Sequence, residues 1–231
     1  MTLDARTQDA PVDEMTRWVY ERLVETYGVP PWEPDGDALG GLIGTILSQH
    51  TSDVNSDRAY ATLRATFATW SAVRDAPPED VAAAIRVGGL ADLKAARIQA
   101  ALRALSPDGE GEPSLARLDG LSLDAARDVL QAIPGVGPKT AACVLLFNLG
   151  RPAFPVDTHV HRVTSRLGLI GPKVTADAAH LALEKLIPPE WRHTMHVNLI
   201  THGRRICHAQ RPECERCSLA ARCVYYQSRK S

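Results

Sequence analysis

Apolar residues recur along most of this chain at the three- and four-residue spacing of amphipathic helices. The clearest stretch opens with Ser122, a favoured N-cap residue, and continues with Leu123, Ala126, Val129, Leu130 and Ile133. A second apolar run follows Pro138 and stops at Gly150, a typical residue just after a helix. The pattern predicts further helices over residues 12–27 and 37–48, after residue 53, twice within 78–105, and over 158–167, 174–186 and 189–206.

Composition agrees with a helical protein. The 231 residues are 45% hydrophobic, enough for a sizeable core, and the Ala-rich segments contain few aromatic residues (5%). Packed helices suit such segments better than sheets, so we predict an all-α fold. No apolar run is long enough to cross a membrane, and the first 15 residues show no signal-peptide pattern. We therefore expect a cytoplasmic protein with no membrane contact.

A short break separates the two helices that flank residues 134–137, Pro-Gly-Val-Gly. Gly135 and Gly137 let the backbone approach another surface closely, and the amides around Val136 lie near the positive end of the following helix. An anionic oxygen, above all a phosphate, suits that place. The break carries no base-reading side chain, so it would hold a DNA backbone without reading sequence. An ordinary helix–helix turn explains the glycine spacing equally well.

Two chemical groups accompany this hairpin. Lys139 lies in the first turn of the second helix, where the helix dipole opposes a positive charge, and a neutral lysine amine is a nucleophile that forms Schiff bases. Asp157 follows 18 residues later in a Pro-rich loop, at the predicted start of the next helix. Taken singly, a solvated lysine and a structural cap are the simpler interpretations. Lys94, Lys173 and Lys185 are the other lysines considered as nucleophiles, and none lies beside the hairpin in sequence.

Two further breaks interrupt the apolar pattern. Five polar residues, 49–53 (Gln-His-Thr-Ser-Asp), separate two apolar helices and predict the edge of a cleft, or simply a polar helix cap. Gly88 and Gly89 end another helix and place Leu90 in a turn, which is an unusual position for a large apolar residue. A hydrophobic contact at a helix end is the alternative interpretation of Leu90.

Charge is distributed unevenly along the chain. The net charge is −1, yet residues 1–35 carry 3 basic and 8 acidic residues, residues 36–131 carry 9 and 13, and residues 132–231 carry 14 and 6. The last segment is therefore a candidate phosphate-binding face, although a solvated surface would look the same. Five of its arginines surround a cysteine-rich segment and are candidates for contact with a DNA backbone: Arg204, Arg205, Arg211, Arg216 and Arg222.

Four of the five cysteines are clustered near the end of the sequence. Cys207, Cys214, Cys217 and Cys223 form a C-x6-C-x2-C-x5-C pattern, whereas Cys143 stands alone in an apolar run and is predicted to be an inert core residue. Four clustered thiols without a signal peptide indicate a metal rather than disulfides. Only one pair, Cys214 and Cys217, has the short spacing that zinc sites usually show twice. The spacing therefore leaves zinc and an iron–sulfur cluster about equally plausible.

The segment IPGVGPKTA, followed by VDTH around Asp157, resembles the helix-hairpin-helix and Gly/Pro-rich loop of the base-excision DNA glycosylases. A lysine at position 139 is typical of the endonuclease III branch of that superfamily. The cysteine spacing matches the cluster loop of endonuclease III residue for residue, and this resemblance favours a [4Fe–4S] cluster over zinc. The resemblance extends over roughly residues 15 to 225.

The resemblance implies two all-helical lobes that flank a DNA-binding cleft. A central lobe of about six helices with the helix-hairpin-helix would span residues 36–152. The second lobe would join residues 1–35 to 153–231 and include the cluster loop 207–223. In such relatives one polar turn fills the space left by an extruded base, a role that falls here on Gln49 or His50. A leucine in a second turn wedges against the opposite base, a role that falls on Leu90, although Ala91 stands where relatives often carry an aromatic residue.

The resemblance also implies a function. Lys139 and Asp157 would face each other across the cleft of a bifunctional DNA glycosylase and abasic-site lyase that removes oxidised pyrimidines from double-stranded DNA. We expect a monomer that binds DNA with a damaged base or an abasic site. A monofunctional mismatch or alkylated-base glycosylase of the same fold would use Asp157 with water. A non-enzymatic DNA-binding module with a zinc knuckle would explain the glycines and cysteines, but not Lys139, Asp157 and the polar turn together.

Overall fold

The computed structural model describes residues 12–229, and most of the segment in which no signal-peptide pattern was found lies outside them. All regular elements in the described range are helical. In chain order the α-helices are α1 (Glu14–Tyr27), α2 (Ala38–Ser48), α3 (Asp53–Thr66), α4 (Trp70–Asp75), α5 (Pro78–Ala84), α6 (Ala91–Leu105), α7 (Leu123–Gln131), α8 (Pro138–Cys143), α9 (Thr158–Leu167), α10 (Ala176–Leu186), α11 (Arg192–Arg205) and α12 (Val224–Gln227). Helix α8 continues as a π-helix over Val144–Asn148.

Short 3-10 turns complete the helical content. They cover Arg86–Gly88, Pro107–Gly109, Ala116–Leu118, Pro189–Trp191, Cys214–Arg216 and Ala220–Arg222. Within the described residues no helix is long and apolar enough to cross a membrane.

The chain forms two compact units, one of residues 33–153 and one that joins the segment before residue 33 to residues 154–231. The boundaries predicted from the sequence lie after residues 35 and 152. The first unit packs around α2, whose Leu42, Ile43 and Ile46 are fully buried. It contains helices α2 to α8, and the helix beyond the expected six is α4.

Helix α4 was not predicted because its six residues are too few to show a helical repeat. Thr69 caps its first turn by accepting from the Ala72 amide. Glu112, which is distant in sequence, reaches the same turn and accepts from the amide of Trp70 at 3.0 Å. A carboxylate that is distant in sequence thus accepts from a first-turn amide that has no partner within its own helix.

The second unit packs around α1, α9 and α11. Its core contains Leu23, Phe154, Val160 and Leu199, all fully buried. The predicted helix over 189–206 begins as the 3-10 turn Pro189–Trp191 and becomes α-helical at Arg192.

Candidate DNA-binding and catalytic site

The hairpin between α7 and α8 adopts a conformation that needs glycine. Ser122 caps α7 as predicted, by accepting from the Ala125 amide at 3.2 Å. Gly135 has φ +81°, a left-handed value that glycine adopts without a steric penalty. Among the described residues, no backbone carbonyl accepts from the amides of Gly135 and Gly137. Val136 is buried and holds the turn against the core. The exposed residues Gly135 and Gly137 on either side of it therefore have fixed positions.

Lys139 is the second residue of α8 and is exposed to solvent. It therefore lies beside the hairpin with its amine accessible. The other lysine of this unit differs, since Lys94 is only 1% exposed and its Nζ atom donates to two carbonyl oxygens. A buried and fully engaged amine is not an accessible nucleophile, which corrects its place among the alternatives to Lys139.

Asp157 is the N-cap of α9, and its Oδ1 atom accepts from the Val160 amide at 2.7 Å. Its side chain is half-buried at the positive end of this helix, which stabilises a carboxylate. The capping role and a chemical role are therefore compatible at this position. Asp157 belongs to the unit of residues 154–231 and Lys139 to the unit of residues 33–153.

Residues 49–52 form the turn between α2 and α3, whereas Asp53, the last residue of the predicted polar break, already begins α3. Gln49 ends α2 and is partly buried, and its Oε1 atom accepts from Arg97 Nη1 at 2.9 Å. His50 is exposed and has φ +54°, while Ser52 caps α3. The two candidate wedge residues are therefore unequal, because Gln49 is held against the protein and His50 stands at the tip.

Leu90 lies in the second turn with φ +50° and is 53% exposed. The predicted hydrophobic helix-end contact would bury such a side chain, and the exposure argues against that interpretation. Gly89, directly before Leu90, has φ +69°, and α6 begins directly after Leu90.

The four clustered cysteines line one pocket, together with apolar side chains that include Val163, Leu167 and Leu219. Burial, together with the neighbouring Cys207, Cys223 and Cys214, raises the pKa of Cys217 to about 11. The thiols thus lie close enough to disfavour one another's charged forms, which is the situation that a bound cation relieves. No group of three or more His, Cys, Asp or Glu side chains in residues 12–229 is arranged to hold a single metal ion.

Sequence reasoning missed the residues that hold this cysteine loop. Arg162 donates from Nε to the Cys207 carbonyl at 2.9 Å, and Arg166 donates from Nη1 to Cys207 Sγ at 3.3 Å and to the His208 carbonyl at 2.7 Å. Their four-residue spacing on α9 places both on one face, which was the available signal. His202 lies on the other side, with Nε2 3.4 Å from Cys217 Sγ.

Some expectations about neighbouring residues change. Arg216 pairs with Glu213 at 3.0 Å and Arg222 with Glu14 at 2.8 Å, so these two arginines already have carboxylate partners. Cys143 is only partly buried and lies outside the core clusters, in contrast to the predicted core position. His159 contacts Arg162, and His161 Nε2 lies 2.8 Å from the Val174 carbonyl.

The all-helical fold, the glycine hairpin with Lys139 beside it and Asp157 at the N-cap of α9 are together typical of one class of DNA repair proteins. The family described as HhH-GPD superfamily base excision DNA repair protein matches residues 43–189, and the chain belongs to this family. Endonuclease III of Thermotoga maritima is 34% identical over 218 residues, which cover 94% of each chain. The protein is a DNA glycosylase and abasic-site lyase of the endonuclease III type, and its partner is damaged DNA.

Two other comparisons agree. An Arabidopsis thaliana protein that is provisionally named a DNA glycosylase is 41% identical over 169 residues, which are 73% of this chain but only 57% of the longer plant protein. A solved structure of a trapped covalent intermediate between endonuclease III and DNA is 30% identical and has a TM-score of 0.74. It covers 93% of this chain and 97% of that chain.

Proposed function

We propose that this enzyme removes oxidised or ring-saturated pyrimidines from duplex DNA and then cleaves the strand through a Schiff base on Lys139. The observation that carries the proposal is the accessible amine of Lys139 in the first turn of α8, directly after the hairpin amides. A damaged base inside the stack is out of reach, so its nucleotide must be extruded before reaction. The trapped covalent intermediate of endonuclease III with DNA supports covalent chemistry of this kind.

The hairpin holds the DNA strand in this proposal. The exposed amides of Gly135 and Gly137 lie at the start of α8, where a phosphate oxygen is stabilised. The contact uses backbone groups, so it is independent of base sequence. It brings the sugar of a neighbouring nucleotide within reach of Lys139.

The chemistry follows from the two side chains. The Lys139 amine attacks the anomeric carbon, and the bond to the base breaks with its electron pair leaving on the base, which takes up a proton. The ionised Asp157 carboxylate stabilises the positive charge that grows on the sugar and can accept the amine proton. The sugar ring of this adduct then opens, because the C1′–O4′ bond breaks as the nitrogen forms a double bond to C1′ and O4′ takes up a proton. The resulting Schiff base acidifies the adjacent C2′ proton, and its removal expels the 3′ phosphate by β-elimination.

Two exposed side chains enter the DNA base stack at the position of the extruded base. His50 lies at the tip of the 49–52 turn and is exposed, whereas Gln49 accepts a hydrogen bond from Arg97, so His50 enters the duplex in place of the extruded base. Leu90 is an exposed apolar side chain on a turn, a typical wedge for unstacking a base step.

The four clustered cysteines hold a [4Fe–4S] cluster in this proposal. Cys207, Cys214, Cys217 and Cys223 line one pocket with apolar walls, and four thiolates are the ligand set of such a cluster. When bound, the cluster supplies iron–thiolate bonds that close the loop of residues 207–223. Arg162 and Arg166 then fix this loop to α9, the helix that begins at Asp157. The purified protein should be yellow-brown, with absorption near ~400 nm, and colourless active protein with one zinc per chain would contradict the assignment.

Borohydride trapping on DNA with a single damaged base tests the lysine assignment. Wild-type protein should be trapped, and Lys139→Gln should not be, because an amide of similar size cannot form the imine. Lys173→Gln is the matched control, since Lys173 is equally exposed and lies in the other unit. Trapping by the Lys139→Gln protein would place the nucleophile elsewhere. Excision without strand cleavage by wild-type protein would favour a monofunctional glycosylase.

The choice of lesion and the working environment belong to the same proposal. A panel of duplexes with single lesions would identify the preferred bases. We also propose that the enzyme acts as a monomer in the cytoplasm, on the nucleoid if the source is bacterial.

A further inference from the structure

Helix α6 contains a buried lysine that the proposed chemistry does not use. Lys94 is 1% exposed, and its Nζ atom donates to the Leu47 carbonyl at 2.7 Å and to the Gly88 carbonyl at 2.8 Å. Burial lowers the pKa of Lys94, because removing the ammonium from water disfavours its charged form. A buried ammonium is costly for a fold unless its donors are used, and here two of them join separate segments.

The two carbonyls belong to the two turns proposed to enter DNA. Leu47 lies in the last turn of α2, two residues before Gln49 and three before His50. Gly88 ends the 3-10 turn that precedes Leu90. Carbonyls at helix ends lack partners within their own helix and carry partial negative charge. One ammonium therefore satisfies both helix ends and fixes the distance between them.

Both turns also hold a residue in an unfavourable backbone conformation. His50 has φ +54° and Leu90 has φ +50°, left-handed values that non-glycine residues seldom adopt. Such conformations persist where the surrounding structure determines them. The Lys94 bonds lie within three residues of each position and provide that support.

Arg97, one turn after Lys94, extends the same contact set. Its Nη1 atom donates to Gln49 Oε1 at 2.9 Å. Its Cγ atom would lie 3.6 Å from a Cβ atom placed on Gly135, so the arginine stem also runs beside the hairpin. Helix α6 thus contacts the three segments of this unit that are proposed to contact DNA.

We propose that Lys94 and Arg97 are positioning residues that hold the His50 and Leu90 turns in one rigid arrangement, so that both side chains enter the duplex together. This inference rests on the proposed function, because it assumes that the two turns insert into DNA. Lys94 fixes both turns, and Arg97 fixes the first. A rigid pair of turns avoids the ordering cost that two mobile loops would incur when they bind.

The test compares trapping on two DNA substrates. Lys94→Met keeps the length of the side chain but removes its donors. Lys185→Met, at an exposed lysine on α10, is the matched control. We expect Lys94→Met to slow borohydride trapping by roughly tenfold or more on an abasic site in a duplex, where a base step must be unstacked. On the same abasic strand without its complement there is no duplex to open, and the rate should stay within about twofold of wild type.

A second measurement follows insertion without any chemistry. 2-Aminopurine placed opposite the abasic site brightens when it is unstacked, and Lys139→Gln protein provides a complex that does not react. Adding Lys94→Met to Lys139→Gln should remove most of the fluorescence increase at saturating protein. Leu90→Ala should remove it too, and the combination with Lys94→Met should lose little more, because both changes act on one step.

Distinct results would overturn the inference. Equal slowing on duplex and single strand would assign Lys94 to the fold alone, and unchanged duplex trapping would exclude a positioning role. If Lys94→Met does not fold, Arg97→Met carries the same comparison without removing the buried ammonium, and its failure to show a duplex-selective loss would overturn the role of α6. Absence of trapping by wild-type protein on both substrates would instead refute the proposed function, while the fluorescence measurement still decides this inference.

Discussion

The guanidinium of Arg166 lies 3.3 Å from the sulfur of Cys207 and stacks 4.5 Å from the ring centre of Tyr225. This contact joins the cysteine loop to α9, the helix that Asp157 caps. Replacing Arg166 with Met should lower the free energy of unfolding by about 1.5–3 kcal/mol, the usual worth of a hydrogen bond to a charged group. The cluster absorption should also disappear at a lower denaturant concentration.

Arg216→Met is the control for this prediction. Arg216 lies in the same loop, but its pair with Glu213 is exposed, and exposed pairs contribute about 0–1 kcal/mol. Chemical denaturation followed by circular dichroism and by absorption measures both variants. Equal effects of the two substitutions would show that Arg166 has no special role in holding the loop.

Gly137 has φ −92°, and no atom lies within 4 Å of a Cβ placed on it. A side chain there fits the folded protein, so Gly137→Arg should change the stability by no more than about 0.5 kcal/mol. It should nevertheless weaken DNA binding, because the hairpin approaches a phosphate through its backbone, and the salt dependence of binding should flatten slightly. Gly137→Ala should give a smaller loss, and a changed lesion preference at unchanged affinity would contradict the hairpin assignment.

Asp157→Asn separates the cap from the charge. Asparagine caps helices as well as aspartate does, so the bond to the Val160 amide and the stability should be kept. Excision should slow by roughly 10²-fold or more if the carboxylate charge stabilises the transition state. Asp157→Ala should in addition cost about 1 kcal/mol of stability. Single-turnover excision and thermal unfolding measure the two effects, and fast excision by Asp157→Asn would leave Asp157 with a capping role only.

We expect the free energy of unfolding to depend on pH because of His193. Its ring is buried, stacks on Trp32 with centroids 5.1 Å apart, and has a pKa lowered by this burial. Below pH ~6.5 the unfolded chain binds a proton at this histidine, whereas the folded protein binds it only at a lower pH. The free energy of unfolding therefore falls as the pH drops towards the lowered folded pKa. The slope from one such group reaches at most about 1.4 kcal/mol per pH unit.

Comparison with His193→Phe checks this dependence. Phenylalanine keeps an aromatic ring against Trp32 but does not titrate. The free energy of unfolding measured between pH 5 and 8 (roughly the range in which histidine titrates) should fall less steeply in the variant. Parallel curves for the two proteins would show that His193 does not contribute.

Local sequence determined the elements of this fold and the identity of its chemical groups. The Ser122 cap, the glycine hairpin after α7 and the turn that begins at Gln49 were all predicted, because each depends on side chains and backbone within a few residues. The cysteine spacing and the Lys139 position were likewise visible in sequence, since they are fixed by chain order. Helix α4 was not predicted, because its six residues are too few to show a helical repeat and one of its caps comes from Glu112, which is distant in sequence.

Only the tertiary structure decided how distant groups support these elements. Lys94 looked like another candidate nucleophile in sequence, and its burial against the Leu47 and Gly88 carbonyls appears only when α2 and α6 pack together. The difference between an engaged Gln49 and an exposed His50 likewise depends on Arg97. Burial and hydrogen-bond partners of this kind arise from residues brought together by packing, and no local pattern along the chain encodes which residues these are.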